Sequence, residues 1–220
     1  MSNEFIIVAI DGGAASGKST TARTLAEKLN LRHVDTGSIY RVICHALLEK
    51  GVDGFDEGVG EHLDALVLET EVSKRQGHIR LDGTTLGQAQ LRSDRVNANV
   101  SRYAAQPLVR NKLLEYQRSQ TEVARREGFA GLVMEGRDIG SVIFPDAEVK
   151  IFLQAEERER ERRRAAEGQA DSIRKRDEMD STRKTAPLAC PADAVVIDTG
   201  KHDVEEVVAM VTDLVERARA

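Results

Sequence analysis

Apolar residues along this chain fall into two alternating patterns. Short runs rich in apolar residues occur at Phe5-Ile6-Ile7-Val8-Ala9-Ile10, Leu31-Arg32-His33-Val34-Asp35, Gly131-Leu132-Val133-Met134-Glu135, Val149-Lys150-Ile151-Phe152-Leu153 and Ala194-Val195-Val196-Ile197-Asp198, the second interrupted by Arg32 and His33 and the fourth by Lys150. Runs of this length and composition read as strands of a covered sheet. Between them the apolar spacing shifts to the helical period. Residues 17–30 place Ala22, Leu25, Ala26 and Leu29 on one side. Ser38 is the expected cap of a helix reaching about Lys50, with Ile39, Val42, Ile43, Ala46 and Leu47 inside. A long helix is expected after Pro107, with Leu108, Leu113 and Val123 among its apolar residues. Asp203 caps a last one carrying Val204, Val207, Val208, Val211 and Leu214. The alternation predicts an α/β protein with a five-stranded parallel sheet, doubly wound and covered on both faces.

Residues 51–95 break the rhythm. Gly51, Gly54, Gly58 and Gly60 punctuate the start, and a helical piece over 61–68 follows. Short antiparallel strands are then expected over 71–75, 78–81 and 84–86, joined by Gln76-Gly77 and Asp82-Gly83 turns. The segment reads as a small β-rich lobe appended outside the core, or as a plain surface insertion.

The stretch between the first run and the first helix carries the chemistry. Residues 12–19 are Gly12-Gly13-Ala14-Ala15-Ser16-Gly17-Lys18-Ser19, a complete G-x-x-x-x-G-K-S phosphate-binding loop. A strand feeding it and a helix leaving it aim backbone N–H groups and a helix N-terminus at a polyphosphate. The same geometry lets Lys18 reach the β- and γ-oxygens and the Ser19 hydroxyl hold Mg²⁺. A switch GTPase would need a guanine-reading Asn-Lys-x-Asp, but Asn111-Lys112-Leu113-Leu114 lacks the aspartate. A motor would end the corresponding strand in aspartate and carry more chain, whereas here it ends Met134-Glu135. A small-molecule kinase remains. Arginines at expected strand ends suit two phosphate sites: Arg41, Arg137, the run Arg158, Arg160, Arg162, Arg163 and Arg164, then Arg174, Arg176 and Arg183. The run 156–164 reads as a mobile lid or as a solvated helix with Glu156–Arg160 and Glu159–Arg163 pairs.

Composition narrows the partners. A chain of 220 residues with 40% hydrophobic and 31% charged residues builds one substantial core. The net charge of −5 argues against a general nucleic-acid coat and leaves a local basic cleft open. Cys44 and Cys190 lie far apart without metal-ligand spacing, so a reducing cytoplasm is expected and a disulfide framework is not. Nothing resembles a membrane span, and Glu4 close to the loop argues against a removable leader. The five histidines, His33, His45, His62, His78 and His202, form no constellation and read as structural or surface residues. A monomer is expected.

Taken together, Asp35-Thr36-Gly37-Ser38-Ile39-Tyr40-Arg41, Gly136-Arg137-Asp138-Ile139-Gly140, Phe144-Pro145-Asp146-Ala147, Arg176-Asp177-x-x-Asp180-Ser181-x-Arg183 and Ala186-Pro187-Leu188 resemble the bacterial cytidylate kinases, a family of nucleoside monophosphate kinases. The likeness runs over nearly the whole chain, and the family's β-rich insertion matches 62–95. It implies ATP-dependent, Mg²⁺-assisted phosphorylation of CMP, with dCMP as a second acceptor. The chain would divide into a core (about 1–36, 100–155 and 186–220), a monophosphate-binding region (37–99) and a lid (156–170). ATP would lie on Gly12, Gly13, Ala14, Ala15, Ser16, Gly17, Lys18, Ser19 and Thr20. Thr36 and Arg41 would hold the CMP phosphate with Arg137. Ser101, Arg110 and Asp138 would read cytosine, Arg176 and Asp180 would meet the ribose, and Arg183 would lie against the nucleotide. Arg160 and Arg163 would close over the transferring phosphoryl group, with Lys18 and Arg137 completing the catalytic set. Ser19 would ligate Mg²⁺, and Asp35 would orient a water on it.

The chain departs from the family pattern at Gly13, where many relatives have proline, and at Met179, where some have arginine. Other readings stay open. Base choice could favour UMP, and a nucleotide-binding regulator without turnover is a further alternative. Arg137 and Asp138 could simply pair with each other, and Asp177 and Glu178 are expected as helix-surface carboxylates.

Overall fold

The computed structural model describes residues 4–52, 58–73, 75–166 and 173–220. Its order is β1 (Ile6–Gly12), α1 (Lys18–Leu29), β2 (Leu31–Asp35), α2 (Thr36–Glu49), α3 (Val59–Asp64), β3 (Leu68–Ser73), β4 (Gln76–Leu81) and β5 (Thr84–Thr85). Then come α4 (Gln88–Leu91), α5 (Asp94–Ala104), α6 (Pro107–Arg126), β6 (Gly131–Gly136) and a π-helical turn at Ile139–Ile143. The chain finishes with β7 (Val149–Gln154), α7 (Glu157–Ala166), α8 (Ile173–Thr182), β8 (Val195–Asp198) and α9 (Val204–Ala218). Gly54 and residues 167–170 of the expected lid lie outside the described residues.

The expected parallel sheet is present, in the spatial order β2-β6-β1-β7-β8. Successive strand residues point to opposite faces, which splits the core in two. Leu132 and Met134 of β6 join a cluster with Ile43, Leu47, Val100 and Leu113 from α2, α5 and α6. Val133 points the other way, into Leu25 and Ala26 of α1 and Val207, Val208 and Val211 of α9. Each such buried branched side chain stabilises the fold by about 1.5–3 kcal/mol.

Helix ends follow local chemistry. Asn30 takes a left-handed conformation, φ 54°, and closes α1 by donating its N–H to Ala26 O. The cap of α2 is Asp35 rather than the expected Ser38. Asp35 is extended and its carboxylate accepts from Ser38 N, so the helix begins two residues before Ser38, at Thr36. Asp203 caps α9 as expected, in a reciprocal box with Glu206.

The β-rich segment corrects a second expectation. It is not a lobe standing apart, because β4 pairs parallel to β2 at His33↔Gln76 and continues the main sheet, with β3 and β5 flanking it. His33 N donates to Arg75 O at 2.9 Å, and Ile79 is buried in the core. An otherwise open edge of β2 is thereby satisfied. The expected 61–68 helix is shorter, α3, and the strands begin earlier. Helix α5 went unforeseen, although Ser93 caps it and Val96, Val100, Tyr103 and Ala104 form its buried face.

Candidate active site

The C-terminal ends of β1, β2 and β6 open at one rim, and the sequence there turns sharply. Gly12 leaves β1 at φ 149°, and a Cβ on it would stand 2.2 Å from Leu153 O, so only glycine fits. Gly17, at φ 91°, enters α1. Between them the loop surrounds Lys18, which is buried and donates to Gly13 O at 2.5 Å and Ser16 Oγ at 3.3 Å. Burial, reinforced by nearby Arg137, pushes Lys18 down to about 7. The Ser19 hydroxyl donates to Glu135 Oε2 at 2.7 Å, and the other Glu135 oxygen meets His33 Nε2 at 2.8 Å.

One cavity joins this loop to the far rim. Lys18, Ser19, Asp35, Thr36, Arg41, Ser101, Arg137, Asp138, Arg176, Asp180 and Arg183 all line it, with Tyr40, Arg92, Glu135 and Arg164. Residues named from distant stretches of sequence therefore meet. Thr36 Oγ1 donates to Glu135 O at 2.7 Å. Arg41 donates to Leu91 O at 2.9 Å and Asn97 Oδ1 at 2.7 Å, and burial lowers it to about 10. Arg110 stands behind the wall, bonded to Asp138 and to Ala104 O at 3.0 Å, its guanidinium 5.5 Å from the Tyr40 ring centre. Arg183 reaches the other Asp138 oxygen at 3.3 Å. Burial raises the Asp138 carboxyl against the pull of Arg110, Arg183 and Arg137. Arg137 and Asp138 do not pair with each other. Arg137 Nε binds Asp180 Oδ2 at 2.9 Å.

The Gly136-to-Gly140 turn is held by Asp11, a residue of the Ile10-Asp11-Gly12 stretch shared with the family but given no role from sequence. Its carboxylate accepts from Ile139 N and Gly140 N, both at 2.8 Å. Burial lifts it to about 6 despite those two donors. Glu135 was likewise passed over, although a carboxylate ending a fully apolar strand was its signal.

Two lid arginines, Arg160 and Arg163, lie across the phosphate loop and outside the cavity lining, whereas Arg164 is part of that lining. Arg160 donates to Ala155 O at 3.0 Å and Ala14 O at 3.2 Å, and pairs with Asp177 rather than with the expected Glu156. Asp177 also accepts from Ala14 N at 3.0 Å, so it is a loop contact and not a helix-surface carboxylate. Gly13 accommodates this pair, since a Cβ there would lie 2.8 Å from Arg160 and 2.9 Å from Asp177. Arg163 pairs with Glu159 as expected, at 3.0 Å, and binds Thr199 Oγ1 at 3.0 Å and Thr199 O at 2.8 Å. Thr20 is exposed on α1. His33 is buried, not a surface residue.

No cluster of three or more His, Cys, Asp or Glu side chains with metal-holding geometry occurs among the described residues. A hydroxyl and a carboxylate at the loop still fit Mg²⁺, which takes few protein oxygens and completes its shell with phosphates and water. Asp35 lines the cavity and accepts from the Ser38 hydroxyl at 2.6 Å.

A family model described as cytidylate kinase matches residues 8–217. The chain is 42% identical to the cytidylate kinase of Chloroherpeton thalassium, over 95% of this chain and 92% of that one. It is 40% identical to that of Pelotomaculum thermopropionicum, with 99% of both covered, and 39% identical to that of Mycobacterium leprae, with 96% of both covered. A crystal structure of an uncharacterized protein from Eubacterium ventriosum shares the fold, with a TM-score of 0.51 at 19% identity, covering 97% of this chain and 99% of that one.

Proposed function

This chain belongs to the cytidylate kinase family, and on that premise we propose how its residues transfer the terminal phosphoryl group of ATP to CMP. The single observation that carries the assignment is the shared cavity, which joins the phosphate loop to the Asp138 cluster. We assign the loop amides and Lys18 to the ATP phosphates, and Ser19 to Mg²⁺, with Asp35 orienting a water on it. Bound there, the metal neutralises charge on the phosphates being separated. Thr36, Arg41 and Arg137 take the CMP phosphate. Asp138 accepts the cytosine amino group, while Ser101, and Arg110 once it turns from behind the wall, donate to N3 and O2. Uracil would turn an acceptor oxygen toward the carboxylate and lose that bond. Arg176 and Asp180 meet the ribose, and Arg183 lies against the nucleotide. dCMP serves as the second acceptor.

The attacking phosphate oxygen is already ionised, so no histidine base is called on. Catalysis is positioning plus charge stabilisation by fixed cations. Arg160 and Arg163 exchange Asp177 and Thr199 for the transferring group as α7 closes over the phosphate loop. Residues 37–99 bring the acceptor. Closure excludes water that would otherwise hydrolyse ATP. We assign a monomer in the cytoplasm with nucleotides as its partners; the net charge of −5 speaks against nucleic acid, and free cysteines at 44 and 190 suit a reducing compartment.

A coupled assay of ADP release with CMP, dCMP, UMP and AMP in turn tests the assignment. CMP and dCMP should give far more ADP than UMP or AMP. No excess with CMP over ATP alone refutes the kinase activity.

A further inference from the structure

His33 has no role in the assignments above, yet it is bonded to them. It stands on β2 opposite Val133 of β6, and Asp35 stands opposite Glu135, so His33 and Glu135 are diagonal neighbours on one face of the sheet. His33 Nε2 lies 2.8 Å from Glu135 Oε1, and Ser19 Oγ donates to Oε2 at 2.7 Å. Only 8% of the His33 side chain and 3% of the Glu135 side chain are exposed. A carboxylate this sealed from water needs partners on both oxygens, and here each oxygen has one.

We propose that His33 is a positioning residue for metal–nucleotide binding: it holds Glu135 Oε1 and so dedicates Oε2 to the phosphate loop, which sets the Ser19 hydroxyl before the nucleotide arrives. The proposal deepens the function given above and rests on its assignment of Ser19 to the metal. Were the Ser19 oxygen to turn to a cation, Oε2 would be released while Oε1 stayed held by His33, leaving the carboxylate oriented to accept from the metal's hydration shell. Without the imidazole donor, Glu135 is free to rotate toward Lys18, whose charge already acts on it. Ser19 then loses its acceptor. A histidine that merely fills the space between β2 and β6 would have no such effect on the metal.

The test compares His33→Leu with His33→Gln by isothermal titration calorimetry of ATP, in excess Mg²⁺ and in EDTA, alongside urea unfolding of each variant. His33→Leu should weaken ATP binding in Mg²⁺ about tenfold, the usual cost of losing an outer-shell partner. It should leave binding in EDTA within about twofold and KM for CMP unchanged. His33→Gln, which keeps an N–H donor, should recover most of the loss. Unchanged binding in Mg²⁺ overturns the proposal, as does equal weakening in Mg²⁺ and EDTA. Glutamine performing no better than leucine overturns it as well. If the leucine variant does not fold, His33→Phe replaces it, and loss of the fold in both assigns His33 to packing. A parent protein that binds ATP equally in Mg²⁺ and EDTA would instead refute the Ser19 assignment itself.

Discussion

Replacing Asp138 with alanine removes the one carboxylate that Arg110 and Arg183 share. Only 4% of the Asp138 side chain is exposed, 7% of Arg110 and 4% of Arg183, so the two guanidiniums have little water to turn to. Deleting one partner of a buried ion pair costs about 3–5 kcal/mol, because the opposite charge is left stranded. Arg110 keeps Ala104 O at 3.0 Å, and Arg183 keeps Asp180 at 3.9 Å. These residual contacts put the expected loss at the lower end, about 3 kcal/mol. Asp138→Asn preserves the shape and one acceptor, and should cost about 1–2 kcal/mol. Adding Arg110→Met to the alanine variant should return about 1 kcal/mol or more, since a stranded buried charge is worse than an apolar chain of similar length. Urea unfolding midpoints at constant m-value measure all three. In the asparagine variant, KM for CMP should rise at least about tenfold while ATP affinity stays within about threefold. An alanine variant as stable as the parent, or a methionine that deepens the loss, would show that Asp138 does not hold these guanidiniums. Equal weakening toward CMP and ATP would remove it from base recognition.

Lys18 makes stability depend on pH. Burial lowers it from 10.5 to about 7, so between those values the unfolded chain holds a proton that the folded protein does not. Stability of the ligand-free protein should therefore rise with pH through that window, by at most about 1.4 kcal/mol per pH unit from this residue. Lys18→Met should flatten that slope in unfolding experiments and weaken phosphoryl transfer about a hundredfold or more; parallel pH curves for the two proteins would contradict it. A Cβ at Gly136 would sit 2.5 Å from Thr36 Oγ1 and 2.7 Å from Ile139, so Gly136→Ala must displace the threonine. We expect about 1–3 kcal/mol of destabilisation and a selective fall in kcat/KM for CMP, read from steady-state kinetics at fixed ATP. Asp203→Ala opens the capping box of α9 far from the cavity. It should cost about 1 kcal/mol, seen as a Tm lower by about 2–4 °C, with turnover unchanged.

Much of the core could be read along the chain. A strand covered on both faces has little room for polar side chains, so β1 and β6 show themselves as apolar runs. The phosphate loop is equally legible, because wrapping an anion demands glycines and a lysine at fixed spacing between strand and helix. The join between the β-rich segment and β2 was not legible. It rests on one backbone pairing, His33↔Gln76, and backbone pairing writes no side-chain pattern. The α2 cap was misread because Asp35 and Ser38 are both good capping residues, and only the backbone conformation chooses between them.

The candidate site divides the same way. The chain's own letters determined that a polyphosphate loop sits at a strand end and that arginines crowd later segments. The resemblance to a known family nominated the acceptor-side residues, and the structure brings most of them to one cavity wall. Which carboxylate each arginine meets was decided only in three dimensions. Arg137 meets Asp180 and not its neighbour Asp138, Arg160 meets Asp177 and not Glu156, and Glu135 lies between Ser19 and His33. Spacing along a chain limits only local pairs, whereas a buried charge settles on whichever partner the packing brings within hydrogen-bond reach.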